Sequence, residues 1–156
     1  MSAQPLFVLL EKLLKLHKSL YQLALEKTEV LKKGDLEALQ TLMKNEQSHV
    51  IAIRKIEDER VKMISELLPD HEDPTLRDCL PLFEKAEAEQ IKSLQESLME
   101  QLFELKTINE LNQQLLEQSL QFVSLNIDLL IPESPTNYSK DEEANRPSVT
   151  LFDSKA

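Results

Sequence analysis

Apolar residues recur at helical spacing almost from the start of this chain. Between residues 5 and 33, Leu6, Leu9, Leu13, Leu16, Leu20, Leu23 and Val30 follow the alternating three- and four-residue steps of a heptad. Leu10, Ala24 and Leu31 lie beside them, and Lys27 interrupts the stripe. The pattern predicts a first helix that needs a partner along its whole length. It ends at Lys32-Lys33-Gly34-Asp35. There two lysines complement the negative end of the helix dipole, glycine suits a left-handed residue after the last turn, and aspartate can cap the next helix.

A second helix is predicted from residue 36 to Pro69, through Val50, Ile53, Ile56, Val61, Ile64, Leu67 and Leu68. Its stripe weakens across Lys44-Asn45-Glu46-Gln47, which fits either one continuous helix or a short helix ending near Met43 and a bend. The connector PDHEDPTLRDCLP holds three prolines and several acids, with room for one short turn around residues 75–80. From residue 82 to 131 neither Gly nor Pro occurs, and this predicts a third helix much longer than the others.

The apolar face of that third helix changes along its length. Ile91, Leu94, Leu98, Leu102, Leu105 and Ile108 fill an arc of roughly 120°, enough for one core-facing stripe. Beyond Ile108 the apolar arc widens to roughly 240°. Leu111, Leu115, Phe122, Leu125 and Leu129 make one stripe, and Leu116, Leu120, Val123, Ile127 and Leu130 make a second. Asn112, Ser119 and Asn126, seven residues apart, stack between them. The first stripe is assigned to the protein's own helices and the second to the outside.

Length sharpens this. At 1.5 Å per residue the third helix is roughly 75 Å long, against roughly 42 and 50 Å for the first two. In an up-down-up arrangement the second helix is used up near Leu115, so the widened face should overhang its own hairpin. A patch of that size on a monomer marks an interaction site.

Composition narrows the class. One Gly, no Trp and seven Pro in 156 residues argue for long helices with few turns. The fold expected is all-α: an elongated antiparallel helical hairpin, or three-helix coiled-coil bundle, over residues 1–131. The polar, proline-interrupted stretch 132–156 is expected to form a disordered tail. A formal net charge of −10 speaks against nucleic acid and anionic membrane surfaces. No basic residue lies between positions 110 and 133, so the widened face suits a neutral or basic protein partner. The apolar runs are too short or too polar for a signal peptide or a bilayer span, so a soluble cytoplasmic protein is expected. The tail carries one apolar island, Val149 to Phe152, which is either chance composition or a short motif that docks on the third helix or on another protein.

Chemistry for catalysis is missing from the pattern. Cys79 is the single cysteine, read as a packing residue. Glu46-Gln47-Ser48-His49 has the E-x-x-H spacing of di-iron carboxylate bundles, but no second such element follows, and neither a metal nor a cofactor is expected. No nucleophile–base spacing or phosphate loop occurs, so the chain is not read as an enzyme. Glu57, Asp58, Glu59 and Arg60 read as a solvated cluster with Glu57 and Arg60 paired.

Several segments together resemble the FlgN-type flagellar export chaperones of bacteria. They are the Leu-rich first helix, KKGDLEALQ at residues 32–40, IEDER at 56–60, NELNQQLLEQSLQFV at 109–123 and LFDSKA at 151–156. The resemblance implies a cytosolic chaperone that binds C-terminal helical segments of the hook–filament junction proteins, prevents premature assembly and delivers them to the flagellar type III export gate. It places substrate binding on the late part of the last helix, here about residues 109–131, and the outward stripe with its polar column makes Asn112, Leu116, Ser119, Leu120, Val123, Asn126, Ile127 and Leu130 the partner-binding residues expected there. Tyr138 is the nearest counterpart of a gate-contacting tyrosine. The alternative reading is a homodimeric coiled-coil adaptor or scaffold whose third helix pairs with its own copy, and a homodimer of the unloaded chain fits both.

Overall fold

The computed structural model describes residues 2–130. Its helices are α1 (Gln4–Lys33), α2 (Leu36–Leu67), α3 (Leu76–Cys79) and α4 (Lys85–Leu130), with a 3-10 turn at Leu80–Leu82 between the last two. No strand occurs among the described residues. The chain divides into two units, Met1–Ser119 and Leu120–Ala156; of the second, the described part is the end of α4.

The α1–α2 turn forms as its residues dictate. Gly34 is left-handed, with φ of 70°, and its N–H returns to the carbonyls of Val30 and Leu31. Asp35 accepts a hydrogen bond from the Ala38 N–H at 3.1 Å and so satisfies one of the donors left free at the start of α2. The helix that follows is continuous for 32 residues, without the bend that the weak stripe at 44–47 allowed. The cause is cross-helix bonding. Glu46 takes the Lys27 ammonium at 3.2 Å and His49 shares a hydrogen bond with Ser19 at 2.8 Å, so these polar positions face α1 instead of breaking the helix. Lys27, which seemed to interrupt the first stripe, is half-buried by the same contact.

The connector is stapled at α3. Thr75 and Asp78 form a capping box, each side chain accepting from the other's backbone N–H. The long helix then begins at Lys85 and not at 82, because Phe83 turns extended to bury its ring in the core.

Two bonds set the register of α4 against α1. The Ala3 N–H donates to Glu87 Oε2 at 2.6 Å, and the Thr28 hydroxyl donates to Asn112 Oδ1 at 2.5 Å. Both pairs are separated by 84 residues, so the two helices run parallel with a constant offset while α2 runs antiparallel between their ends. A cluster of buried side chains among the described residues joins Leu6, Leu10, Leu13, Ile64, Leu76, Cys79, Phe83, Ile91 and Leu98. Each large aliphatic fully buried there contributes about 1.5–3 kcal/mol. Cys79 is completely buried in it, and burial pushes its thiol pKa up, as a packing cysteine requires.

Candidate partner-binding face

The orientation of α4 follows from which of its residues are buried. Ile91, Leu98, Leu105 and Asn112 form one buried column at seven-residue spacing. Half-buried Leu94, Ile108 and Leu115, with buried Gln101, flank it on one side; half-buried Gln95, Asn109 and Leu116 flank it on the other. The Nε2 of Gln101 is buried with no hydrogen-bond partner among the described residues. Leu102, expected in the core arc, is exposed at the lip of a groove that no other described side chain fills.

At the start of the widened face Asn112 points inward, and Leu115 and Leu116, one from each stripe, are both half-buried beside it. Leu111, assigned with its stripe to the interior, is exposed. The azimuth of α4 is set by an amide. Asn112 is only 3% exposed; its Nδ2 donates to the Ala24 carbonyl at 2.8 Å and its Oδ1 receives the Thr28 hydroxyl. Asn112 is therefore committed to α1 and is not available to a partner.

Along the remaining sequence-derived positions, Ser119 is exposed and donates its hydroxyl back to the Leu115 carbonyl at 2.9 Å. Leu120 and Leu125 are exposed, and Leu129 is 75% exposed. Val123, Asn126, Ile127 and Leu130 lie on the α4 backbone, but their side chains fall outside the described residues, as do Tyr138 and the whole 132–156 stretch. The offset of 84 sets Lys33, the last residue of α1, level with Glu117.

Thr28 was not apparent from the sequence. Its signal is a hydroxyl residue between Ala24 and Leu31 on an apolar stripe, where a small neighbour exposes the backbone carbonyl to an incoming amide.

The other motifs resolve into structure. Glu46 and His49 belong to the α1–α2 contacts above, and no group of three or more metal-binding side chains occurs among the described residues. No described helix is long and apolar enough to cross a membrane. Glu57 and Arg60 are not a freely solvated cluster. They are joined by a two-point ion pair, including Arg60 Nε to Glu57 Oε2 at 2.9 Å, in the wall of a groove of about 370 Å³ with Leu10, Val61, Leu76, Leu98 and Leu102. The guanidinium hydrogen bond holds the Glu57 carboxyl below its ordinary pKa against the opposing effect of burial.

The profile of the family described as FlgN protein matches residues 1–146. The chain is 40% identical over 160 residues to the uncharacterized protein YvyG of Bacillus subtilis (strain 168), with all of both chains covered. No solved structure matches. The chain belongs to the FlgN family, whose members are flagellar export chaperones and not enzymes.

Proposed function

We propose that this protein is a cytosolic chaperone that captures the C-terminal helical segments of hook–filament junction proteins on the last turns of α4 and delivers them to the flagellar type III export gate. The observation that supports the reading is the exposure of Leu120, a member of the second stripe, together with Leu125 and Leu129 of the first, in the last turns of α4. Capture is of the helix-in-groove kind: an amphipathic segment gains stability by burying its stripe on Leu116, Leu120, Val123, Ile127 and Leu130, with Ser119 and Asn126 between the leucines. The lack of basic residues from 110 to 133 favours a neutral or basic segment. Discharge by competition at the gate needs no nucleotide.

The test is titration of the full-length chain with a junction-protein C-terminal peptide by calorimetry. Leu120→Asp or Val123→Asp each remove about 1.5–3 kcal/mol of apolar contact, and weaken binding roughly ten- to a hundredfold with helix content unchanged. Unchanged affinity in both variants refutes the site. A large loss of helix content shows instead that these positions are internal.

A further inference from the structure

One column of α2 shows how closely that helix is covered at each level. Ile64, Glu57, Val50, Met43 and Leu36 follow one another at seven-residue spacing from the connector end of α2 to its turn end. Ile64 is buried in the core, and Glu57 is half-buried in the wall of the groove that Leu98 and Leu102 of α4 also line. Beyond it the column opens: Val50 is 41%, Met43 42% and Leu36 72% exposed. The levels of α4 beside it follow from the contacts of α1. Ser19 meets His49 and, by the offset of 84, stands level with residue 103, so Val50 is level with Leu102. Lys33 is level with Glu117, so Leu36, just past the turn, stands near the level of Leu116. Val50 and Leu102 are large apolar side chains at one level, and neither covers the other. The groove at the connector, floored by Leu10 and Leu13 of α1 and closed by Pro74 to Leu76, thus continues towards the turn as an open cleft between α2 and α4.

We propose that α2 supplies the second wall of the partner site: the amphipathic helix captured on α4 lies in this cleft and packs on Leu36, Met43 and Val50 as well as on Leu102 and Leu116. This rests on the capture reading of α4 and adds the flank of α2 to it. Continuity identifies the occupant. Leu116 opens the outward stripe of α4, and the seven-residue steps back from it, Asn109 and Leu102, run down the cleft. A segment seated on that stripe therefore meets α2 as well. The walls specify a helix, because both carry side chains at seven-residue steps and an extended segment would leave backbone donors and acceptors unpaired against apolar walls. From Leu36 to Val50 the cleft spans roughly 21 Å, so the occupant has about four turns. Other occupants fit less well. The cleft is concave, and two concave faces related by a twofold axis meet only at their rims. The apolar island from Val149 to Phe152 reaches roughly 13 Å even when fully extended, too short to run from Leu36 to Val50.

The test extends the calorimetric titration of the full-length chain with a junction-protein C-terminal peptide to α2, with circular dichroism to verify helix content. Met43→Asp and Val50→Asp each weaken binding by about tenfold, since each sets a charge against the apolar stripe of the peptide. Ser48→Asp, exposed on the far side of α2, leaves binding unchanged. A benzophenone attached to the Met43→Cys variant cross-links to the peptide, a contact read without placing a charge in the cleft, and buried Cys79 takes no label. If Leu120→Asp weakens binding while Met43→Asp and Val50→Asp do not, and no peptide is cross-linked, capture on α4 stands and the role of α2 is overturned. If none of the three weakens binding, capture on α4 falls and the cleft falls with it. A cross-link from Met43→Cys to a second copy or to the tail at saturating peptide also overturns the proposal, because it gives the cleft another occupant.

Discussion

Replacing Asn112 isolates how the long helix is held. In Asn112→Ala the Nδ2 donor to the Ala24 carbonyl is lost, at about 1 kcal/mol, and the small void left in a nearly closed site adds about as much. The Thr28 hydroxyl loses its 2.5 Å acceptor but retains the Ala24 carbonyl at 3.1 Å, so it adds little. The sum is about 2 kcal/mol, which moves the urea midpoint down by about 1 M at an m-value of about 2 kcal/mol/M. Asn112→Leu behaves differently. It fills the volume, and both α1 groups keep a partner within their own helix, so stability stays within about 1 kcal/mol of wild type. Asn112→Asp sets a carboxylate against the Ala24 carbonyl oxygen and is the worst of the three near neutral pH. Its charged form is disfavoured in the fold, so its folded pKa lies above the unfolded value of about 3.9. The deficit is full above the folded pKa and shrinks as pH falls through it, since the protonated acid can again donate to Ala24. Urea titrations followed by helix content at several pH values measure all three variants. The reasoning is refuted if Asn112→Leu costs as much as Asn112→Asp, or if the Asn112→Asp deficit is independent of pH.

Two further changes probe the hairpin and the groove. Gly34→Ala meets nothing within 4 Å of its new Cβ, so its whole cost is the left-handed backbone, about 1 kcal/mol, and thermal unfolding should fall by about 2–4 °C; a neutral result would mean that the turn is not left-handed in solution. Glu57 has a folded pKa held below its unfolded value, so its pairing with Arg60 stabilises above the unfolded value and fades as pH falls through the folded one. Arg60→Gln should therefore lower stability near neutral pH and converge on wild type in acid, and a difference that persists below both values would assign Arg60 a packing role instead.

Most of the hairpin was legible because its signals are local. Gly34 with Asp35 marks one reversal through backbone bonds made within a few residues. At the other the prolines marked a connector with one short turn, and the Thr75–Asp78 capping box that fixes it was not read. The 44–47 stretch misled because a polar run looks the same whether it faces water or reaches a neighbouring helix. Only the presence of Lys27 and Ser19 opposite Glu46 and His49 tells the two apart. Phe83 misled in the opposite direction. An apolar residue before a helical run reads as its first turn, whereas here the ring is used to close the core under the connector and the backbone must extend to deliver it. Leu102 belongs to the periodic stripe and is still exposed, because periodicity specifies a direction on the helix and not whether a side chain stands there to meet it.

The candidate site was readable in its extent and not in its azimuth. Asn112, Ser119 and Asn126 form one column of like residues, and nothing within α4 distinguishes the first from the others. What separates them is the helix opposite. An offset of 84 sets Asn112 on Thr28 and one turn from Ala24, where a carbonyl and a hydroxyl satisfy its amide and turn Asn112 into the interior. Buried amides of this kind set register at some cost in stability, and here the amide also sets rotation. The same offset carries Ser119 past Lys33, the end of α1, and Ser119 is exposed, with its hydroxyl folded back onto Leu115. The passage from interior to surface thus falls between two members of one repeat. It is decided by where a helix 84 residues earlier stops, which the periodicity of α4 alone does not record.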